Sequence, residues 1–546
     1  MNTRFARISA FAALLATAAS PAFAQENPVD TVQYRAHAEF LADDLLEGRE
    51  AGTRGYDIAA NYVATQFMAM GIAPGDLDGD YMQPITFVKA ALDEDGDNFI
   101  TIDGVRHDHG EQYLVSQNPA AAALDEEVEL VFVGPGLFVP EFGVDTFGDV
   151  DVEGKIAVTF FSRGGLPGLP SDVAAHLGNA QSRMIEEKGA IGVITVFPQA
   201  MLDRFPWERI KRFAGGAQSN WANAEGLPNS DHPGLRVRAT LGPDARDALF
   251  EGTAMSWADI EASMMAGNPV GAFAMGKKAR ISAANTIEPD YVSANVVGMI
   301  EGSDPELKDE LIVMTAHLDH VGIEEDAKPG EDNVYNGLFD NALGVSAVLE
   351  MARLFAESGQ APRRSIAFVA LAAEEKGLKG SDWLANNPDQ FPGKTIVANI
   401  NVDMPIHTGD FETVVAHGAE HSTLGRQIDA ALADFSVKRV DDPAPEEVYF
   451  VRSDHYSFVK AGIPSVNLDP LPLPDEQDVY DDFLENRYHK LGDQLGQPLD
   501  WDAAAKFAWM NYLITRSMTD DDATPMWYSD SYFGNSLAPD AEKAER

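Results

Sequence analysis

The chain has 546 residues, with 87 acidic against 40 basic side chains, for a formal charge of −47 at neutral pH. The acids are spread along the whole sequence, a balance that argues against nucleic acid or an anionic membrane surface as partner. Cysteine is absent, which excludes disulfides and thiolate metal sites and leaves His, Asp and Glu as metal ligands.

Length favours two domains over a single core, and the 45% hydrophobic fraction fits a globular chain. At the N-terminus, Arg4 and Arg7 precede an apolar run over 8–19, followed by Ala22-Phe23-Ala24 ahead of Gln25. This predicts a cleavable signal peptide over residues 1–24, cut near Ala24, and a periplasmic or secreted mature protein. The run falls short of the roughly 20 residues of a spanning helix. No later segment is long and apolar enough to span, so no stable membrane insertion is expected after cleavage.

Residues 25–124 open with two predicted helices, over 32–46 and 56–70, around the loop EGREAGTRG. Helix packing is the role this loop suggests on its own. Between 125 and 275 the texture turns β-rich, with strands at 128–133, 152–165 and 189–197 and one helix over 175–188. This stretch lacks clustered ionisable groups and reads as an insert that is structural or gates substrate. Near residue 294 an α/β pattern begins. Strands are predicted at 294–302, 311–315, 366–371, 395–402, 413–417 and 465–468, with helices over 341–355, 422–435 and 501–515. The catalytic part is set at 276–520 and a polar, frayed tail at 521–546.

The predicted strands stop at polar side chains with metal-binding capacity. The run at 311–315 leads to His317 and Asp319, that at 366–371 to Glu374 and Glu375, and that at 395–402 to Asp403. Asp340 precedes a helix, and His489 sits in a loop between turn signals. In open α/β sheets such strand ends are where ligands gather. Packing these carboxylates together without cations would cost several kcal/mol, and their surplus points to a pair of metals roughly 3.5–4 Å apart. Two adjacent glutamates cannot easily serve one ion, so one is expected to ligate and the other to accept a proton. His317-Leu318-Asp319 suits a carboxylate that orients a ligand imidazole. Read without metal, Asp340 is a plain N-cap; His320, whose side chain should not converge with His317 on an extended segment, is pocket wall or a support behind a ligand.

HLDH, DNALGVSAVLE, AAEEKGLKGS, NVDM and YHKLGD occur in this order. The set resembles the co-catalytic di-zinc aminopeptidase family, which also includes glutamate carboxypeptidase-like enzymes and glutaminyl cyclases. The β-rich stretch is similar to the protease-associated domain found in many members, and EGREAGTRG matches the family's leading loop. The resemblance implies an α/β fold of zinc exopeptidase type, with a mixed, largely parallel sheet sandwiched by helices and an inserted β-rich domain. It implies two zinc ions per chain, with cobalt or manganese as alternatives. His317 and Glu375 would hold one ion, Asp403 and His489 the other, and Asp340 would bridge. Glu374 would be the general base acting on a metal-bridging water, Asp319 the carboxylate behind His317, and His455 in RSDHYSF a donor to the oxyanion. The implied activity is aminopeptidase action on peptides with a free N-terminus. Carboxypeptidase or cyclase chemistry, or a non-catalytic binding relative, are the alternatives. Leu338-Phe339 stand where the family has a small residue and a second acid.

Overall fold

The computed structural model describes residues 27–546, apart from 76, 120, 122–123, 125, 162–167, 215, 269 and 434. The signal peptide expected at 1–24 lies outside the described residues. Among the described residues the molecule is built on two large sheets, beside a two-stranded ribbon of Phe138–Val139 with Val144–Asp145. The larger has ten strands, of which nine are numbered here: β1 (Met82–Leu92), β2 (Gln218–Trp221), β3 (Asn285–Ile300), β4 (Glu310–His317), β5 (Ser365–Leu371), β6 (Thr395–Asn401), β7 (Thr413–His417), β8 (Lys438–Val440) and β9 (Ser465–Leu471). Their order across the sheet is β2-β1-β3-β5-β4-β6-β9-β7-β8, and Ala73–Pro74 pairs with β3. The centre, β5-β4-β6-β9, is parallel, and antiparallel strands flank it. The fold is therefore mixed α/β, parallel in its middle and again at the edge pair β7–β8.

The central strands are near-continuous apolar runs because they are covered on both faces. Every residue of β5 is buried, as is all of β4 beyond Glu310. One face carries α1 (Thr31–Leu41), α2 (Arg54–Ala69), α3 (Leu343–Glu357) and α4 (Trp501–Asp520), whose apolar stripes form the main core with β4, β5 and β6. Burying one Leu, Val or Phe of such a stripe contributes about 1.5–3 kcal/mol.

The second sheet has eight strands and draws them from Phe99–Ile102 through Phe273–Ser282. It therefore begins ahead of the expected boundary at 125, and the segment before 125 is shared between the two sheets. Conversely, β2, inside the expected insert, pairs with β1 of the larger sheet. The tail also differs from expectation. It folds into a helix at Tyr532–Leu537, with Trp527 and Phe533 buried, because large aromatic side chains outweigh its polar composition. Leu137, Leu177 and Met184 of the second unit share one core cluster with Phe450 and Tyr456 of the larger unit and with Trp527 and Phe533. Among the described residues no helix is long and apolar enough to cross a membrane.

Candidate metal centre

The carboxyl ends of the parallel strands converge. His317 is the last residue of β4, and Asp403 follows β6 by two residues. Because β4 and β6 are parallel neighbours, with Thr315 opposite Asn401, both side chains reach the same edge. His317 Nε2 lies 3.0 Å from Asp403 Oδ1 and 3.1 Å from Asp340 Oδ1. The other oxygen of Asp340 lies 3.0 Å from His489 Nε2, which is 3.1 Å from Glu375 Oε2. Asp340 thus presents one oxygen to each half of the cluster. His317 and Asp340 are deeply buried, whereas the His489 side chain is 40% exposed, so the cluster opens on the His489 side.

All five expected ligands meet, but their pairing is corrected. His317 sits with Asp403 rather than Glu375, and His489 with Glu375 rather than Asp403. Strand order is the reason: β4 stands between β5 and β6, and His489 arrives over the β5 side. His320, expected as pocket wall or as a support behind a ligand, stands directly behind Glu375. Its Nδ1 donates to Glu375 Oε1 at 2.7 Å and lies 3.8 Å from Asp340 Oδ2.

Asp340 is not an N-cap. It lies in the irregular turn Leu338–Ala342 ahead of α3, where the Asp340–Asn341 peptide is cis. Asn341 takes the capping role, its Oδ1 accepting from Gly344 N–H while its Nδ2 donates to Val402 O. The Asp493 carboxylate accepts from Phe339 and Asp340 N–H at 3.0 and 3.1 Å, which aims the bridging side chain.

The carboxylate of Asp319 is placed differently from expectation. It accepts from Glu374 and Glu375 N–H at 3.0 and 3.3 Å, and it is the Asp319 carbonyl oxygen that accepts from His317 Nδ1, at 3.0 Å. That bond leaves Nε2 of His317 facing Asp340 and Asp403. His455, expected as the donor to the oxyanion, is buried at the start of the helix His455–Lys460, with its ring turned edge-on to Phe450 at 5.6 Å. The two residues before it face the cluster instead. Ser453 Oγ donates to Asp403 Oδ2 at 2.5 Å and accepts from Asn401 Nδ2. Asp454 is fully buried, and its carboxyl interacts electrostatically with His317 and Asp403. Sequence reading fixed on the histidine of RSDHYSF, although Ser453 and Asp454 were in the same motif.

The field follows from burial and crowding. Burial would lower the His317 pKa, but Asp403, Glu374 and Asp340 override it and hold the imidazole well above its ordinary value. Burial raises Glu374 well above the carboxylate range, with Asp403, Glu375 and Asp454 adding to the rise against the opposing pull of His317. Burial likewise pushes Asp319 up to about 6. The backbone is strained in the same places. Ala373, Met404 and His489 have φ of 57°, 46° and 54°, in the left-handed region. Each such residue costs on the order of 1 kcal/mol and persists only where the surroundings fix it.

The donor set fits divalent ions. Ligand atoms of His317, Asp340 and Asp403, and of His320, Asp340 and Glu375, lie within 4.8 Å of one another in two groups that share Asp340. Nitrogen-to-oxygen separations of 3.0–3.1 Å are a little under the roughly 3.3–3.6 Å edges of a tetrahedron with bonds of roughly 2.0–2.2 Å. Residues 295–515 match the model of peptidase family M28.

That segment belongs to peptidase family M28.

The M28 segment carries every member of the cluster. Over 125 residues the chain is 37% identical to a probable zinc metalloprotease of Phaeosphaeria nodorum, covering 20% of this chain and 23% of that one. Over 143 residues it is 30% identical to the mouse aminopeptidase NAALADL1, covering 25% and 17%. The chain thus spans less than a quarter of the length of either relative. It is also similar to the solved aminopeptidase from Aneurinibacillus sp. strain AM-1, with a TM-score of 0.45 and 18% identity over 89% of this chain and 93% of that one.

Proposed function

We propose that the chain is a two-zinc aminopeptidase, periplasmic or secreted, that removes N-terminal residues from peptides. The observation that carries this reading is the pair of half-sites sharing Asp340, His317 with Asp403 and His489 with Glu375. We assign the ions to those half-sites, with cobalt or manganese as the other metals this donor set would accept. When bound, a metal pair supplies an acidified water and polarises a substrate carbonyl. Glu374 is a carboxylate of the cluster outside both half-sites. Burial raises its proton affinity, as suits a base that takes a proton from water and returns it to the leaving amine. Asp319 holds the Glu374 and Glu375 backbone, which fixes the direction of both side chains. Asp493 does the same for Asp340, and Ser453 for Asp403.

Carboxypeptidase action needs arginines to clamp a substrate carboxylate. Arg49 is spent on backbone carbonyls, and Arg452 lies over the Tyr449 ring, 3.7 Å from Glu447. That favours the aminopeptidase reading. The names of curated relatives include both an aminopeptidase and a probable glutamate carboxypeptidase. We read the second sheet as the protease-associated unit.

Glu374→Gln tests the assignment. The variant should keep its zinc and lose about 10²–10⁴-fold in turnover of aminoacyl-nitroanilides; wild-type turnover would refute the base. A peptide-library digest scored for the trimmed terminus decides between amino- and carboxypeptidase.

A further inference from the structure

The loop EGREAGTRG has no part in the chemistry above, yet it reaches the cluster from beneath. Arg49 is 1% exposed. Its Nε donates to Leu318 O at 2.9 Å, Nη1 to Asn336 O at 2.5 Å and to Leu41 O, and Nη2 to Gly337 O at 3.1 Å. None of these acceptors is a carboxylate. Leu318 sits between His317 and Asp319, while Asn336 and Gly337 lead into the turn that bears Asp340. One planar guanidinium therefore joins the two segments whose side chains must meet.

The main chain around Arg49 is pressed onto the same place. Arg49 O accepts from His320 N–H and Gly48 O from Gly322 N–H, at 3.3 and 3.2 Å. Glu47, Gly48 and Arg49 all have positive φ, and a Cβ on Gly48 would lie 2.1 Å from Gly322 O. Apolar packing would fill this space without desolvating a charge. Burial lowers the Arg49 pKa to about 10, while Asp340, Asp493, Asp319 and Glu375 pull the other way. It remains a cation at neutral pH.

We propose that Arg49 is a positioning residue of the metal centre: its guanidinium sets the spacing between the His317–His320 segment and the Asp340 turn, and thereby how firmly the ions are retained. The proposal rests on the two-zinc reading. The test measures zinc per chain and its rate of loss to a chelator in the full-length protein, alongside Tm, for wild type, Arg49→Met, Arg49→Lys and Arg364→Gln. Arg364 is an equally buried arginine at the opposite end of β5, bonded to Glu310 and to the Met518 and Asp521 carbonyls. It controls for destabilisation alone.

Arg49→Met should release zinc about 10–100-fold faster, the range seen when supports of metal ligands are removed, and methylguanidinium should slow that release. Arg49→Lys, whose ammonium cannot span four carbonyls, should fall between wild type and Arg49→Met, and it carries the test if the methionine variant does not fold. Arg364→Gln should lose Tm without faster release. Wild-type release rates in the Arg49 variants, or equal acceleration in Arg364→Gln, overturn the proposal alone. Fewer than two zinc equivalents in the wild type overturns the two-zinc reading, and the proposal with it.

Discussion

At the scale of single residues, the cluster shows which parts of a site a sequence can disclose. The convergence of His317, Asp340, Glu375, Asp403 and His489 was legible because each stands at a strand end, a helix start or a turn, in an ordered set of motifs. Their pairing was not, since it depends on which strand lies next to which. The supports were missed for a related reason. Asp493, Ser453 and the carbonyl of Asp319 act through hydrogen bonds that no local pattern announces. His489→Ala should remove one of two zinc equivalents by elemental analysis, since Nε2 is its contact with both Asp340 and Glu375. Asp319→Asn should keep both ions yet lower kcat. An amide offers one acceptor where the carboxylate serves two N–H groups, and the loss should be about 1–3 kcal/mol, or 5–150-fold. Unchanged kcat would mean that the Glu374-Glu375 backbone holds its course unaided.

Among elements, the parallel strands β4, β5, β6 and β9 were readable from their apolar runs, as were the helices that cover them. The predicted helix over 32–46 was too long. Thr31–Leu41 is helical, and the chain then turns through Asp44–Arg49 with Glu47 at φ 50°. That turn exists to carry Arg49 inward, which helical periodicity does not reveal. The short helix His455–Lys460 is held from the other unit. His176 Nδ1, in the helix Ser171–Glu187, lies 2.8 Å from Tyr456 Oη. Burial, with help from Arg183 and Lys460 and against Asp172, lowers the His176 pKa from 6.5 to about 4. The unfolded chain therefore binds a proton that the folded chain refuses between those values. Its contribution to stability is complete above pH 6.5 and is lost as pH falls through about 4. The loss approaches about 3 kcal/mol as an upper bound. In denaturant titrations between pH 7 and 4, His176→Gln should flatten part of this slope; an identical slope would place the proton uptake elsewhere.

For the whole molecule, the seam between the two large sheets is less simple than a boundary at 125. Strand β2 crosses into the larger sheet, the second sheet starts at Phe99, and one core cluster draws on both units and the C-terminal segment. Composition could not show this, because the seam is made of ordinary apolar residues scattered over some 400 positions, from Leu137 to Phe533. Excision of 125–270 would strip β2 from β1 and expose Phe450, Tyr456, Trp527 and Phe533. The shortened chain should aggregate or lose its near-UV signal rather than survive as a metal-loaded core; a soluble, zinc-replete product would show the shared cluster to be dispensable. The same cluster bears on the order of events during synthesis. Trp527 and Phe533 are translated after every ligand-bearing segment, so a nascent chain has the residues to capture ions before it has those that seat the second unit. Such a chain could be charged with metal while still open to a protease, and maturation would end with an aromatic latch between the two units instead of with the metal centre.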